Sequence, residues 1–430
     1  MRVQYPLVLS LLSVAQSAPT AETKADFSQL FSEAATSKIW DTARNSLDQL
    51  PDRFPDNVPS TGADTGQYIF SAISAWTSGF FPGSLYTLLE RNIKYPSHFN
   101  LPNNTPDDTY AQLLSLARSW ADPLHAQAFR TNTHDMGFLI QPALRKDWEL
   151  TGNQSSLDAV ITAAHSLASR YDARVNAIRS WDSLKNKRHS ISDQNTNFLV
   201  IVDSMCNLDL LFYAGHHTGN QTLIDIATTH AHTVRRDIVR KDYSTFHCCN
   251  IDPATDAIKF QETVQGYKDW STWSRGQAWG ILGYTQTYQW TKDPSFLETA
   301  RGLADYFVKR LAAARHTHPY VPLWDFDAPS VGGVVPPRDT SAAMVAANGL
   351  LLLHQALQGN SPYYDQALRI VGQVMDLSLA DPSVGWESIL MNATINNNEY
   401  SNTPSNNTGL VYADYYYLQF GNLLLQMGYV

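Results

Sequence analysis

Two aspartates stand where apolar stretches would not ordinarily carry them. Asp203 lies inside Phe198-Leu-Val-Ile-Val-Asp203-Ser-Met-Cys-Asn207-Leu, a run that reads as one apolar helix continuing to Tyr213. An unpaired carboxylate there costs on the order of several kcal/mol. Burial also raises its pKa, which makes Asp203 a candidate proton donor. The alternative is a hydrogen-bonded structural aspartate at a turn. Asp135, in Thr133-His134-Asp135-Met136-Gly137-Phe138, precedes a second apolar stretch, where a helix N-cap is the ordinary explanation. The two acids are 68 residues apart. If that spacing brings them side by side, one carboxyl can hold a proton while the other stays ionised.

A third dense segment runs from Thr245-Phe-His247-Cys-Cys-Asn250 through Gln265 to Trp273-Ser-Arg275-Gly-Gln277-Ala-Trp279-Gly280, with Trp270 between. Aromatic faces stack on sugar rings, and an arginine among them offers a two-pronged grip on a carboxylate. A packed helix–helix corner is the competing reading. Trp76-Thr-Ser-Gly-Phe-Phe-Pro-Gly83 and Asp414-Tyr415-Tyr416-Tyr417 are two further aromatic clusters that could line the same mouth. His230/His232 and His316/His318 lack a third ligand nearby and read as solvated surface histidines, so no metal site is expected. Gly332-Gly333 has neither the spacing nor the lysine of a phosphate cradle.

The elements that position these residues are legible in a repeat. Thr151-Gly-Asn153, Thr218-Gly-Asn220, Thr291-Lys-Asp293 and Gln358-Gly-Asn360 recur at intervals of 67, 73 and 67 residues. Amphipathic stretches follow the first two, Leu157-Val160-Ile161-Ala164-Leu167 and Leu223-Ile226-Ala227-Ala231-Val234, at helical spacing. A more apolar helical segment precedes each. The unit is therefore a pair of helices, one buried on both faces and one with a polar face. Strand signals are sparse. Open solenoids usually have repeats of ~33–47 residues, whereas about six units of 70 fill this chain. The expectation is an all-α, six-hairpin (α/α)6 barrel, with site-bearing loops at one end. Asp135 and Asp203 would then occupy equivalent places on successive hairpins.

Length alone, 430 residues, suggests several domains; the repeat turns it into one barrel domain over 18–430. Residues 1–17 read as a secretory signal peptide, with Arg2 before an apolar run from Leu7 to Ala15 and small residues at Ala15 and Ser17. The protein is thus expected to be secreted, and no other apolar run is long enough for a membrane span. A net charge of −9 argues against a nucleic-acid partner. Sequons at Asn103, Asn153, Asn220, Asn392 and Asn406 are expected glycosylation sites in a eukaryotic secretory route. Cys206, Cys248 and Cys249 are too few for a disulfide-built fold; one bridge to Cys206, or none, is the expectation. A monomer is the default.

With those residues in place, the chain resembles the unsaturated glucuronyl hydrolases (glycoside hydrolase family 88) over roughly residues 60 to 425. The resemblance is carried by Trp76–Gly83, His134-Asp135-Met-Gly-Phe138, Val202-Asp203-Ser-Met-Cys-Asn207-Leu208, Asp414-Tyr415-Tyr416 and, most specifically, Trp273-Ser-Arg275-Gly-Gln-Ala-Trp279-Gly280. It implies the same (α/α)6 barrel, no cofactor and no metal. It also implies removal of a 4,5-unsaturated uronic acid from the non-reducing end of a lyase-generated oligosaccharide, by hydration of the C4=C5 bond. Asp203 would be the general acid/base and Asp135 the supporting carboxylate. His134, His247, Gln265 and Arg275 would be polar binding positions, with Arg275 near the uronate. Trp76, Trp181, Trp273, Trp279 and Tyr415 would be the aromatic lining. Ser204 departs from the asparagine frequent after the family's catalytic aspartate, and the Cys248–Cys249 pair is unexpected. The sister family acting on unsaturated galacturonyl-rhamnose is the nearest alternative. A sugar 2-epimerase on the same barrel would need paired histidines, and a helical binding scaffold would have no need for Asp203.

Overall fold

The computed structural model describes residues 27–101 and 106–429. Among them, twelve long helices form two concentric layers. We label them α1 (Glu33–Asn45), α2 (Phe80–Lys94), α3 (Pro106–Ala121), α4 (136–151, continuous through a π-type turn at Gln141–Arg145), α5 (Gln154–Ala168), α6 (Ser204–Thr218), α7 (Gln221–Asp237), α8 (Ser274–Thr291), α9 (Pro294–Ala313), α10 (Thr340–Ala356), α11 (Tyr363–Ser378) and α12 (Val411–Met427). Even-numbered helices pack side by side into an inner ring, which closes where α12 meets α2; odd-numbered ones cover it. The division follows from composition. Every residue of α10 from Thr340 to Leu351 is buried, while α11 buries only the stripe Tyr363, Ala367, Ile370, Val371, Val374, Met375 and Ser378. The six-hairpin barrel expected from the repeat is therefore the architecture.

The repeated texture marks the tight turn from four of the inner helices, α4, α6, α8 and α10, to the next outer one. Gly152 and Gly219 end α4 and α6 at φ 72° and 69°, a left-handed conformation that favours glycine. Asn220 then caps α7 by accepting from the Thr222 amide, and Asp293 caps α9 by accepting from Ser295. Short turns thus gather at one end of the ring. The long returns, from outer helix to next inner helix, gather at the other end and build the mouth.

Those returns hold strands that the sequence signals did not suggest. Arg53–Val58 (β1), Ile69–Ala72 (β2), Ala393–Asn396 (β6) and Ser405–Leu410 (β7) form one sheet, in the order β6-β7-β1-β2. Phe198–Ile201 (β3), Cys248–Asp252 (β4) and Ala257–Glu262 (β5) form an antiparallel sheet with Val200 opposite Cys249 and Cys248 opposite Glu262. The expectation of a continuous helix from Phe198 is thus corrected. A four-residue run buried on both faces has no periodicity to separate strand from helix, and pairing with β4 decides it. Asp203 consequently sits at the junction of β3 and α6, not in mid-helix.

The three cysteines are free and buried. Among the described residues no helix is long and apolar enough to cross a membrane. The expected signal peptide and its boundary at residue 17, with the sequon at Asn103, lie outside the described residues.

Candidate active site

Asp135 and Asp203 occupy the same place on neighbouring hairpins, each immediately before an inner helix and neither capping it with its side chain. Gly137 makes their proximity possible. A Cβ there would lie 2.8 Å from both Cα and Oδ1 of Asn207, so only glycine lets α4 and α6 approach this closely. The Phe138 amide then donates to Asn207 Oδ1 at 3.1 Å. Burial pushes the Asp203 pKa up to about 7; the Arg275 charge opposes this and the Asp135 charge adds to it. Asp203 Oδ2 has no hydrogen-bond partner among the described residues. Asp135 is held by the Thr133 hydroxyl at 2.9 Å and faces His134 Nε2 at 3.3 Å.

His247 lies 3.8 Å from Asp203 Oδ2 through its Nε2. Its Nδ1 accepts from the Val264 amide at 3.2 Å, so the hydrogen is on Nε2 and points into the mouth. Burial first, and then the Arg275 charge, lower its pKa to about 3, so it works as a neutral donor. Burial lowers the His134 pKa as well.

Arg275 corrects an expectation. Both of its terminal nitrogens are engaged inside the protein: Nη1 donates to Asp339 Oδ2 and Thr394 O, both at 2.5 Å, and Nη2 to Gln265 Oε1 at 3.1 Å and Ile395 O at 2.7 Å. It ties α8 to α10 and β6 and positions Gln265, while its charge acts on Asp203 at a distance. Attraction for an anion comes from elsewhere. All six inner helices point their N-terminal ends, which carry partial positive charge, at the mouth.

Aromatic rings form the wall and floor. Trp181 meets His247 edge-on at 5.7 Å and Trp273 lies 4.4 Å from it on another side. Trp76 packs on Phe138 at 5.5 Å, and Phe138 on Trp279 at 4.9 Å. The indole nitrogens of Trp273 and Trp279 have no partner among the described residues. Trp76, His134, Asp135, Trp181, Asp203, His247, Gln265, Trp273, Arg275 and Trp279 thus converge.

Tyr415 does not join them. It faces a cavity of about 530 Å³ at the other end of the ring, with Glu90, Arg145 and Trp290, beyond the plug of Phe80, Phe138 and Tyr416. Tyr412 is the residue that sequence reasoning missed. Its ring lies 4.9 Å from Trp76 and 5.7 Å from the Arg275 guanidinium, and its buried hydroxyl, on the Ser341 side, makes no close hydrogen bond among the described residues. The motif Asp414-Tyr-Tyr drew attention to the wrong turn of α12; the first turn, set by where the helix starts, faces the mouth. Asp414 itself is an anchor, accepting from the Ile389 and Leu390 amides and the Tyr68 hydroxyl. His230, expected on the surface, is fully buried beneath Ser204.

Of the described sequons, Asn153, Asn392 and Asn406 each donate from the side-chain nitrogen that would carry a glycan. Asn220 uses only its oxygen, in the α7 cap. Among the described residues no group of three or more His, Cys, Asp or Glu could hold a metal ion.

No family model matches the chain. An unsaturated glucuronyl hydrolase of Formosa agariphila is 33% identical over 356 residues, covering 80% of this chain and 78% of its own length. An unsaturated chondroitin disaccharide hydrolase of Streptococcus pyogenes is 27% identical over 409 residues, 93% of each chain. Among solved structures, an unsaturated glucuronyl hydrolase specific for heparin superposes with a TM-score of 0.76 at 29% identity, covering 94% of this chain and 98% of that one.

Proposed function

Since the chain belongs to the unsaturated glucuronyl hydrolases of glycoside hydrolase family 88, we propose that Asp203 is the residue through which it hydrates its substrate. The chain is a glycoside hydrolase acting on unsaturated oligosaccharides. The observation that carries the assignment is Asp203 itself: a carboxyl raised to a pKa of about 7, with one oxygen unpartnered among the described residues, at the mouth of an aromatic-lined ring.

In the proposed reaction the protonated Asp203 gives its proton to C4 of the C4=C5 double bond, and positive charge develops at C5 and the ring oxygen. Water attacks C5 and returns a proton to the Asp203 carboxylate. The C5 hemiketal opens by breaking the bond to the ring oxygen, leaving a ketone at C5 and a hemiacetal at C1. That hemiacetal expels the hydroxyl of the leaving sugar. Asp135, paired with His134, orients the sugar and keeps Asp203's pKa high. His247 Nε2–H and the Tyr412 hydroxyl donate to the uronate, and Trp76 and Trp181 pack on its ring.

The test follows the ultraviolet absorbance of the unsaturated uronate with disaccharides from hyaluronan, chondroitin, heparin, ulvan and pectin lyases. Absorbance should decay with at least one glucuronyl product, and persistence with all of them sinks the reading. Decay with the pectin product alone would favour the galacturonyl sister activity. In the same assay Tyr412→Phe should lower kcat/KM by about 10-fold, one hydrogen bond to a charged group, while Tyr415→Phe stays within about twofold.

We further propose that the protein is secreted as a monomer after removal of residues 1–17, with Asn220 the described sequon that carries a glycan. Intact mass of protein from a eukaryotic secretory host should show loss of the leader, plus a glycan that Asn220→Gln removes. An unchanged mass in the variant would exclude that site.

A further inference from the structure

Among the described residues no neighbouring side chain hydrogen-bonds the Asp203 carboxyl. It does not cap α6, Oδ2 has no partner among the described residues, and the nearest histidine nitrogen is 3.8 Å away. Its direction is therefore inherited from the backbone turn between β3 and α6. That turn is tied across its own base. The Ser204 hydroxyl donates to Ile201 O at 2.6 Å, joining the last residue of β3 to the first of α6 over the residue that bears the acid.

Behind Ser204 stands His230 of α7. Its Nε2 is 2.8 Å from Ser204 Oγ and its Nδ1 is 2.9 Å from the Ile178 nitrogen. A backbone amide can only donate, so Nδ1 is the bare acceptor and Nε2 carries the hydrogen. The hydrogen bonds then run in one direction: Ile178 N–H to His230, His230 to Ser204, and Ser204 to Ile201 C=O. Ser204 is 2% exposed and His230 is 0% exposed, so water cannot substitute for either. Burial, with the nearby His134, lowers the His230 pKa to about 3, which keeps the chain of bonds intact across the working range. His232, its H-x-H neighbour, instead faces Asp293 at 3.7 Å on the outside.

We propose that Ser204 and His230 are positioning residues of this reaction, locking the strand-to-helix turn so that the Asp203 carboxyl is aimed at C4. The inference rests on Asp203 being the proton donor. It also gives the serine at this position a role, since the neighbouring outer helix supplies a histidine to hold it. A proton donor displaced by about 1 Å loses on the order of 10²-fold in rate.

Ser204→Ala should therefore lower kcat by about 10- to 100-fold with KM within about twofold, and should move the alkaline limb of the pH profile. Ser204→Thr, which keeps the hydroxyl, should restore most of the rate. His230→Gln should show the same kcat-selective loss, and the double variant Ser204→Ala/His230→Gln should lose little more than the worse single, because both act through one chain of bonds. A folded Ser204→Ala or His230→Gln protein with wild-type kcat and pH limb overturns the proposal, as does full additivity. If Ser204→Ala does not fold, His230→Gln and Ser204→Thr decide by the same criteria. Should Asp203→Asn prove active, the underlying assignment fails; inactive Asp203→Asn beside fully active Ser204→Ala sinks only the positioning role.

Discussion

Asp203→Asn should abolish turnover, by about 10³-fold or more, and at the same time stabilise the folded protein above pH 7. The rate effect follows from chemistry: the amide is isosteric but has no proton acid enough to deliver to C4. The stability effect follows from linkage. The Asp203 pKa is about 7 when folded, against about 3.9 in an unfolded chain. Below about pH 4 both states hold the proton and the group favours neither. Between the two values the folded chain holds a proton that the unfolded chain has lost, so stability falls as pH rises through 7. Three pKa units correspond to about 4 kcal/mol, a penalty the asparagine escapes. Thermal denaturation at pH 8 should show the variant melting several degrees above wild type, with the gap largely closed at pH 4.5. A variant that keeps its activity, or melts lower at both pH values, would make Asp203 structural. The wild-type rate should itself fall above about pH 7, where the donor is lost.

Arg275→Gln should be the most destabilising change at the mouth, by about 3–5 kcal/mol, the cost of breaking a buried charge pair from one side. Asp339 is fully buried, and the substitution leaves its carboxylate with the Ser341 contacts and without its cation. The Thr394 and Ile395 carbonyls lose their donor together, which frees β6 from α8. Removing the positive charge that favours Asp203's ionisation should also raise its pKa and move the alkaline limb of the rate profile upward. Denaturant unfolding and a pH–rate series check both parts. If the variant instead keeps wild-type stability and raises KM alone, the guanidinium is gripping the substrate carboxylate and the structural role assigned to it is wrong.

The contrast between Asp203 and Arg275 shows what kind of information each level carries. Both stood out because a charged residue sat among apolar ones, and the sequence could not say which was unpartnered. Among the described residues Asp203 keeps an oxygen without a partner, whereas four of the five Arg275 N–H groups are taken up by groups 10, 64, 119 and 120 residues away. Tyr415 and Tyr412 divide in the same way. They are less than one helical turn apart, and only the start of α12 and the packing of Phe80 and Phe138 decide which of them faces the mouth. His230 looked like half of a surface pair because alternation with His232 says nothing about which side the barrel lies on.

The sequence by itself determined the ring and the pairing of its acids. Helix periodicity and the Gly-Asn turns are local, so they repeat visibly at about 70 residues, and that interval already places Asp135 and Asp203 on equivalent turns. The tertiary structure decided everything that depends on a distant partner: β3 in place of a helix, because β4 pairs with it; a neutral His247, because Val264 and burial fix its proton; and the aim of Asp203, because Ile201, Ser204 and His230 hold the turn beneath it. A hydrogen bond or a shifted pKa belongs to two or more groups at once, and the chain brings those groups together only when it folds.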